Sequence, residues 1–159
     1  MLADQERVLA PDHATLLGAR LFQACTKVEA GQPEEGITLF RRLIADQERL
    51  FGADHPETLV IKGQLATACK AAGRTDEAVH MYEHVAERQA IVLRADHPDT
   101  LIARRGLPAA YEAAGRTEDA LAEYEQVANR LEAVMGPEQK LTKTARDDLE
   151  RASRTLRQR

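Results

Sequence analysis

The sequence predicts an all-α protein made of stacked helix pairs, an α-solenoid, and two observations lead to this prediction. Ala, Glu, Lys, Leu and Arg make up 83 of the 159 residues, a balance typical of long helices, whereas Val and Ile, which favour strands, number only 13. The chain also matches itself when it is shifted by 42 residues. A fixed period of this size is the signature of a repeat architecture.

The 42-residue register holds along the whole chain. The segment DHPETL at 54–59 recurs as DHPDTL at 96–101, and AAGRTDEA at 71–78 recurs as AAGRTEDA at 113–120. A weaker copy begins at Asp12. We therefore expect a single domain over 1–159, with the end of a partial repeat at 1–10, repeats at 12–53, 54–95 and 96–137, and a C-terminal capping helix at 138–159.

The first helix of each repeat has its own start and stop signals. Asp54 is expected to cap the helix, and Pro56 follows in the first turn, where a missing N–H costs nothing. Gly73 tolerates the left-handed conformation that ends many helices. These signals predict first helices at 14–30, 56–72 and 98–114.

The second helix of each repeat begins after a short turn. Thr75 and its counterpart Thr117 are expected to cap it, and the acidic residues that follow favour the positive end of the helix dipole. Ala78, Tyr82 and Val85 keep the helical spacing of a buried stripe. The predicted second helices span 33–51, 75–94 and 117–135.

Pro108 interrupts this regularity in the third repeat. It lies where the second repeat has Ala66, inside a predicted helix. A proline there removes one backbone hydrogen bond and clashes with the carbonyl four residues back, at a cost of about 3 kcal/mol. We expect a kink near Arg104, eased by Gly106.

The two ends of the chain match incomplete repeats. ADQER at 3–7 recurs at 45–49, so residues 1–10 resemble only the tail of a second helix, and 138–157 resemble a first helix without its mate. The last helix could be a solubilising cap, which repeat stacks need. Alternatively, the chain is a piece of a longer solenoid, or its open ends pair head to tail with another copy.

The pattern Leu-x-x-Ala followed by Gly-Arg-Thr-x-x-Ala-x-x-x-Tyr-Glu, at a 42-residue period, resembles tetratricopeptide repeats of the kinesin-light-chain-like class over essentially the whole chain. The resemblance implies a right-handed superhelix whose concave face is lined by the first helices. It also implies a protein- or peptide-binding scaffold without chemistry of its own. The groove residues that it suggests are Leu21, Cys25, Gly63, Gln64, Thr67, Lys70, Arg105, Gly106 and Ala109.

Besides Pro108, the chain departs from the family pattern at one pair of groove positions. Relatives often carry a groove-facing asparagine pair, but this chain has Gly63-Gln64 and Arg105-Gly106 there, and its only Asn is Asn129. A chaperone-type carboxylate clamp is therefore not expected. Arg outnumbers Lys 17 to 5, which would suit a GC-rich bacterial genome.

The distribution of charge predicts the chemistry of the ligand. Over 16–30, 58–72 and 100–114, the first helices carry six Lys or Arg against two Glu, whereas the second helices carry 13 acids against six bases. If the first helices line the groove, a basic groove would attract an acidic segment, with Arg105 as its main contact. The alternative is a regulatory or self-assembly module cut from a larger signalling protein.

The net charge of −4 and the short apolar runs predict neither a nucleic-acid partner nor a membrane span. The basic excess of 138–159 is expected to be a solvated face; the alternative is a patch for nucleic acid or for an acidic partner. Two cysteines without a Cys-x-x-Cys motif favour a reducing, cytoplasmic location.

One motif could in principle bind a metal. His80-Met81-Tyr82-Glu83-His84 spells H-x-x-E-H, a zinc-protease pattern in which two histidines on one helix face hold the metal. However, Tyr82-Glu83 belongs to the repeat and recurs at 124–125 without either histidine. We interpret the histidines as surface residues that at most bind zinc or nickel adventitiously.

The other reactive residues have structural interpretations. His13, His55 and His97 recur at one helix entry, and the cysteines Cys25 and Cys69 occupy small packing positions. The Gly-Arg-Thr turns are not phosphate loops, because no Gly-Lys-Ser/Thr follows. The sequence therefore predicts no enzyme, no metal and no cofactor.

Overall fold

The computed structural model describes the backbone of residues 11–158 and the side chains of residues 16–158. The described residues form eight helices and no strand. The helices are α1 Pro11–Glu29, α2 Pro33–Phe51, α3 Pro56–Ala71, α4 Thr75–Leu93, α5 Pro98–Arg104, α6 Gly106–Ala113, α7 Thr117–Met135 and α8 Lys140–Arg157. The all-α prediction is confirmed. The predicted partial helix at 1–10 lies outside the described residues.

Consecutive helices pack against one another along the stack, and loops of three or four residues join them, except at the α5–α6 junction. Such short loops make neighbouring helices antiparallel. The first helices α1, α3 and α5–α6 also contact one another in sequence, so they form one layer of the solenoid. The second helices α2, α4 and α7 form the other layer.

The first helices of the second and third repeats, α3 and α5, begin with a histidine cap. The Nδ1 atom of His55 accepts a hydrogen bond from the Glu57 N–H at 3.3 Å, and His97 does the same for Asp99 at 3.2 Å. Histidine at the helix entry is thus confirmed for His55 and His97, whereas position 13 lies inside α1 and Asp54 as the cap is wrong. The Asp54 carboxylate instead accepts a 2.8 Å hydrogen bond from Arg88 of α4, because it lies one residue outside the cap position.

The second helices begin without a side-chain cap. Arg74 and Arg116 occupy the cap positions, and Thr75 and Thr117 are the first helical residues instead. The expected threonine caps are therefore wrong. The acidic residues in the first turn are present as predicted and complement the helix dipole.

Backbone conformation at the helix ends follows the repeat. Gly73 ends α3 with φ of 75°, as predicted for a left-handed terminus. The ends of α2 and α7 use Gly52 and Gly136, but the equivalent position after α4 is Arg94, with φ of 80° and ψ of 151°. This region is accessible almost only to glycine, so the backbone at Arg94 is strained.

The core lies between the two helix layers. Tyr82 is 6% exposed, and its hydroxyl lies 2.7 Å from the Thr67 hydroxyl of the paired helix α3. Tyr124 occupies the same place in the next repeat and is equally buried. Burial of Tyr82 between its two helices, which fixes the predicted register, is confirmed.

The first helix of the third repeat is broken at Arg105, which separates α5 from α6. Buried Pro108 has no N–H to donate to the Arg104 carbonyl, and the Arg105 N–H bonds to Ile102 three residues back. The expected kink near Arg104 is therefore confirmed. Gly106 has a different role from the one expected, since it makes room for the Tyr82 ring: a Cβ at 106 would lie 2.3 Å from Tyr82 Cε1.

The last helix, α8, packs on α7 and carries charge on its other side. Ala145 and Ala152 are buried, with Leu141 and Leu149 packed beside them. The ion pairs of the basic residues of α8 include Lys143–Glu138, Arg146–Glu132, Arg151–Glu112 and Arg154–Glu150. This ion pairing supports the interpretation of the basic C-terminal segment as a solvated face.

Candidate binding groove on the first helices

A cavity of about 290 Å³ opens between the first helices of the second and third repeats. Helices α3 and α5 form its walls, the start of α6 closes one side, and α4 forms its floor. We call it the inner cavity. Its lining residues are Pro56, Leu59, Val60, Gly63, Gln64, Thr67, Tyr82, Val85, Gln89, Leu93, Asp99, Ile102, Ala103 and Gly106.

The mouth of the inner cavity is apolar and exposed. Val60 is 50% exposed and Ile102 48%, and they occupy the same repeat position on neighbouring first helices. On α1, Phe22 occupies the position equivalent to Gln64 and is 74% exposed. Large apolar side chains therefore reach solvent on three successive first helices. Exposed apolar side chains beside an apolar cavity are typical of an interaction site.

The floor of the inner cavity contains an unpaired amide. Gln89 is 2% exposed, and its Oε1 atom has no hydrogen-bond partner among the described residues. Leaving a buried acceptor unsatisfied costs about 1–3 kcal/mol. The Oε1 atom of Gln47 is buried and unpaired in the same way among the described residues, so this feature belongs to the repeat. Gln47 is the equivalent residue in the first repeat, and Leu131 takes the place in the third.

The structure brings together four of the nine predicted groove residues. Gly63, Gln64, Thr67 and Gly106 line the inner cavity. Leu21 and Cys25 pack instead against the core between α1 and α2. Lys70 and Ala109 are partly buried and lie outside the inner cavity.

Arg105 occupies the repeat position of Gly63, but at the next junction of first helices. Its Nη2 atom lies 3.6 Å from an Asp148 carboxylate oxygen of α8, and its Nε atom is buried without a partner in the described part of the chain. The side chain is 29% exposed. An ion pair thus bridges this junction, whereas the preceding junction, between α3 and α5, contains the inner cavity.

Most other bases of the first helices do not charge the groove. Their partners are acids at 2.7–3.3 Å on the second helices: Arg20 with Asp46, Lys27 with Glu35, Lys62 with Glu48 and Arg104 with Glu123. Among the described residues, Asp99 alone brings a charge to the lining of the inner cavity. The expectation of a strongly basic groove is therefore corrected, because the excess charge of the first helices is used to link the two layers.

The pKa values of two thiols and one tyrosine are shifted, and the shifts bear on whether these groups could be reactive. Burial raises the pKa of both Cys25 and Cys69, the opposite of what a nucleophilic thiolate needs. Burial and then the hydrogen bond to Glu83 raise the pKa of Tyr111 to about 12. These groups are protonated at neutral pH.

The histidines of H-x-x-E-H lie on the outer surface. His80 is 83% exposed, and its Nδ1 atom lies 3.9 Å from the Glu83 carboxylate. Glu83 already accepts a 2.7 Å hydrogen bond from Tyr111 and faces Arg116 at 3.6 Å. The described residues contain no group of three metal-ligand side chains. The described helices also include none long and apolar enough to cross a membrane.

These features define a class of protein: an α-solenoid of helix pairs with a binding face on its first helices. The sequence model of the family described as Tetratricopeptide repeat matches residues 21–90 and 73–133, so the chain belongs to the tetratricopeptide-repeat family. Within it, the chain is of the kinesin-light-chain-like kind, as its structural relatives show. A comparison with curated proteins gives no significant match.

The structural relatives agree over nearly the whole chain. Two crystal structures of nearly identical TPR-like repeats from a kinesin-light-chain-like protein of Podosopora anserina, one of them a single-substitution variant, share 30% identity with it. Their TM-scores are 0.76 for the variant and 0.74, and each match covers 99% of this chain and 74% of that one. BtubC (BKLC) from P. vanneervenii is 18% identical, with a TM-score of 0.76 over 96% of this chain and 62% of its own, and shows the fold alone.

Sequence reasoning missed ten of the 14 residues that line the inner cavity, and Val60, Ile102 and Gln89 are the informative ones. Val60 and Ile102 share a repeat position, and apolar residues outside the buried stripe could have indicated an exposed apolar face. Gln89 lies in the stripe itself, where Leu131 stands one repeat later. A polar residue in an otherwise apolar repeat position is the signal that could have found it.

Proposed function

We propose that this protein is a non-enzymatic scaffold that binds a segment of a partner protein along its first helices, with the inner cavity as the anchor site. The observation that carries this proposal is the apolar cavity between α3 and α5, open to solvent beside Val60 and Ile102. Burying one leucine-sized ligand side chain there contributes about 1.5–3 kcal/mol. Membership of the tetratricopeptide-repeat family supports a scaffold role.

The polar atoms of the groove narrow the ligand further. Gln89 lines the inner cavity, and in this proposal a small rotation of its side chain lets Oε1, which has no partner in the described part of the chain, accept a hydrogen bond from an N–H or O–H of the segment. Beyond the cavity, Arg105 and Lys70 favour an acidic residue, although Asp148 competes for Arg105. The ligand is therefore an extended or helical segment with one apolar anchor and a nearby carboxylate.

The cellular setting is part of the same proposal. Both cysteines are unpaired thiols, which fits a reducing, cytoplasmic location. The chain acts by binding, and its partner is a protein.

A peptide array probed at low and high salt tests this function. Gly63→Arg introduces into the second repeat the side chain that Arg105 provides in the third. A Cβ at 63 meets no atom within 4 Å, so the variant should keep the fold. We expect this variant to lose the apolar contacts. Arg105→Gln should weaken acidic peptides, more at low salt than at high salt, because salt screens exposed charges.

Ala45→Glu, on the opposite layer, is the matched control and should bind peptides as the unsubstituted chain does. Peptides that are basic, or that bind Gly63→Arg as well as the unsubstituted protein, would contradict the proposal.

A further inference from the structure

Gly63 lies in the middle of α3, a position where glycine is unfavourable. Glycine in a helix interior costs about 1 kcal/mol relative to alanine. The first and third repeats have Leu21 and Arg105 at the equivalent position. Gly63 therefore weakens its own helix, and neighbouring repeats show that the position accepts a side chain.

Packing within the chain does not account for Gly63. A Cβ at 63 would meet no atom within 4 Å among the described residues. Gly106 is different, because a Cβ there would lie 2.3 Å from Tyr82 Cε1. The fold thus needs the glycine at 106, whereas Gly63 leaves open a space that a side chain could fill.

The next junction of first helices shows what this space can contain. Gly63 and Gly106 occupy the repeat positions of Arg105 and Asp148, whose side chains form an ion pair at 3.6 Å. Between α3 and α6 the equivalent pair consists of two glycines, and both line the inner cavity. We call the space between Gly63 and Gly106 the glycine gap. It is open where the next junction is bridged.

The glycine gap adjoins the apolar mouth of the inner cavity. Val60 and Ile102, three or four residues before the two glycines, are about half exposed. A ligand side chain that enters the inner cavity between Val60 and Ile102 brings its own main chain close to Gly63. Glycine allows such a close approach of a helix backbone to a ligand, because it has no Cβ.

An extended segment fits the glycine gap better than a helix does. The side chains of a helix surround its main chain and give it a diameter of about 10–12 Å. In an extended chain, successive side chains point to opposite faces, so the main chain itself can lie against a surface. Helices α3 and α6 also contact each other, which leaves no room for a third helix between them.

We propose that Gly63 is the point where an extended ligand segment lays its main chain against α3, with one apolar side chain in the inner cavity. This inference rests on the proposed function and narrows it, because the ligand is extended rather than helical. Recognition at Gly63 is also indifferent to the side chain that the ligand carries there, since the contact is made by the main chain.

Gly63→Ala adds one methyl group and tests this contact on the full chain. The probe is the tightest-binding peptide of the array among those that Gly63→Arg weakens, measured by fluorescence anisotropy. We expect Gly63→Ala to weaken binding about tenfold or more, because the methyl group holds the main chain away from α3. Urea unfolding should show this variant to be as stable as the unsubstituted protein or more so, which excludes a folding defect.

Gly18→Ala is the matched control. Gly18 is also a glycine inside a helix with open space around its Cβ, but it lies on α1 and does not line the inner cavity. This variant should bind the probe peptide as the unsubstituted protein does. An equal loss of affinity in Gly18→Ala would overturn the proposal, because the loss would then follow from helix propensity.

Variants of the peptide show which part of the ligand meets residue 63. Each peptide residue is replaced by glycine in turn, and the affinities for the unsubstituted protein and for Gly63→Ala are compared. No replacement should reduce the loss caused by Gly63→Ala, because the clash is with the main chain. A replacement that removes the loss would identify a ligand side chain at Gly63 instead and refute the main-chain contact.

The conformation of the ligand is tested through the peptide residues outside the anchor. They are replaced by alanine, which favours a helix, or by valine and threonine, which favour an extended chain. The peptides with valine and threonine should bind more tightly. Tighter binding of the alanine-rich peptides would mean that the ligand is helical and would overturn the proposal.

Two substitutions at one position separate this inference from the proposed function. If Gly63→Arg weakens no peptide, the inner cavity is not the anchor site, and both proposals fail. If Gly63→Arg weakens binding but Gly63→Ala does not, the anchor site stands and the main-chain contact at Gly63 is refuted.

Discussion

The ring of Tyr82 occupies the space that a side chain at Gly106 would need. A Cβ at 106 would lie 2.3 Å from Tyr82 Cε1 and 2.7 Å from Cζ. The tyrosine is fixed from the other side by its hydrogen bond to Thr67, so it has little freedom to retreat. The second and third repeats are therefore locked together by a glycine that meets an aromatic ring.

Gly106→Ala should destabilise the protein by about 1–3 kcal/mol, because overpacking a fixed ring shifts side chains or backbone. Gly63→Ala is the matched control, since a Cβ at 63 meets nothing within 4 Å. It should be neutral or stabilise α3 by up to about 1 kcal/mol, the difference in helix propensity. Urea unfolding of both variants checks this, and equal effects would mean that Tyr82 does not press on Gly106.

Arg94→Gly should stabilise the protein by about 1 kcal/mol, because it relieves a strained backbone conformation. Arg94 is the only described non-glycine residue with positive φ, and Gly52 and Gly136 hold the equivalent places. The reverse change, Gly52→Ala, should destabilise by a similar amount. Thermal unfolding measures both, and a destabilised Arg94→Gly would show that the arginine side chain outweighs the strain.

The alkaline stability of the protein should depend on its tyrosines. Burial raises the pKa of Tyr82 and Tyr124, and burial with the Glu83 hydrogen bond raises that of Tyr111 to about 12. A raised folded pKa means that the stabilising contribution is complete below the unfolded value of 10.0 and is lost as pH rises towards 12. Tyrosinate absorbance should therefore rise at a higher pH in the folded protein than in the unfolded chain.

Tyr111→Phe provides the comparison, because it removes the group with the largest shift. The decline in unfolding free energy between pH 10 and 12 should be shallower in this variant. A titration in which all three tyrosines ionise near 10 would contradict the described burial.

The fold could be predicted from sequence because each signal repeats. The 42-residue register, Gly73 and the proline-induced break at Arg105 all follow from backbone rules that act locally. The groove was less predictable than the fold, because its shape and charge depend on the orientation of long side chains. Arg104 and Lys62 lie on first helices, but both turn towards acids of the second helices, and no local rule in the sequence indicates that choice.

The protein should be a monomer in sedimentation equilibrium at micromolar concentration. Helix α8 exposes Glu150 and Arg154, and burying such charges in a head-to-tail contact is costly. Association that grows with protein concentration would favour the head-to-tail arrangement instead. Arg154→Glu would then be expected to dissociate it, if α8 forms that contact.

Gln89→Leu should distinguish the contribution of the apolar anchor to ligand binding from that of a hydrogen bond to Gln89. Leu131 shows that the fold accepts leucine at this repeat position, and removing an unpaired buried amide should leave the protein as stable or more so. A peptide that donates to Gln89 Oε1 should lose about 1–2 kcal/mol of binding free energy in the variant. Peptides that bind through the apolar contact alone should keep or gain affinity.

The decisive measurement is a double-mutant cycle by titration calorimetry, in which each backbone N–H of the bound peptide is N-methylated in turn. One methylation should weaken binding to the unsubstituted protein but not to Gln89→Leu, and this coupling would place that N–H on the Gln89 amide. If no methylation couples to Gln89, the donor lies on a side chain of the ligand. The cycle is then repeated with each donor-bearing side chain of the peptide replaced in turn. Absence of coupling in both series would show that Gln89 takes no part in recognition.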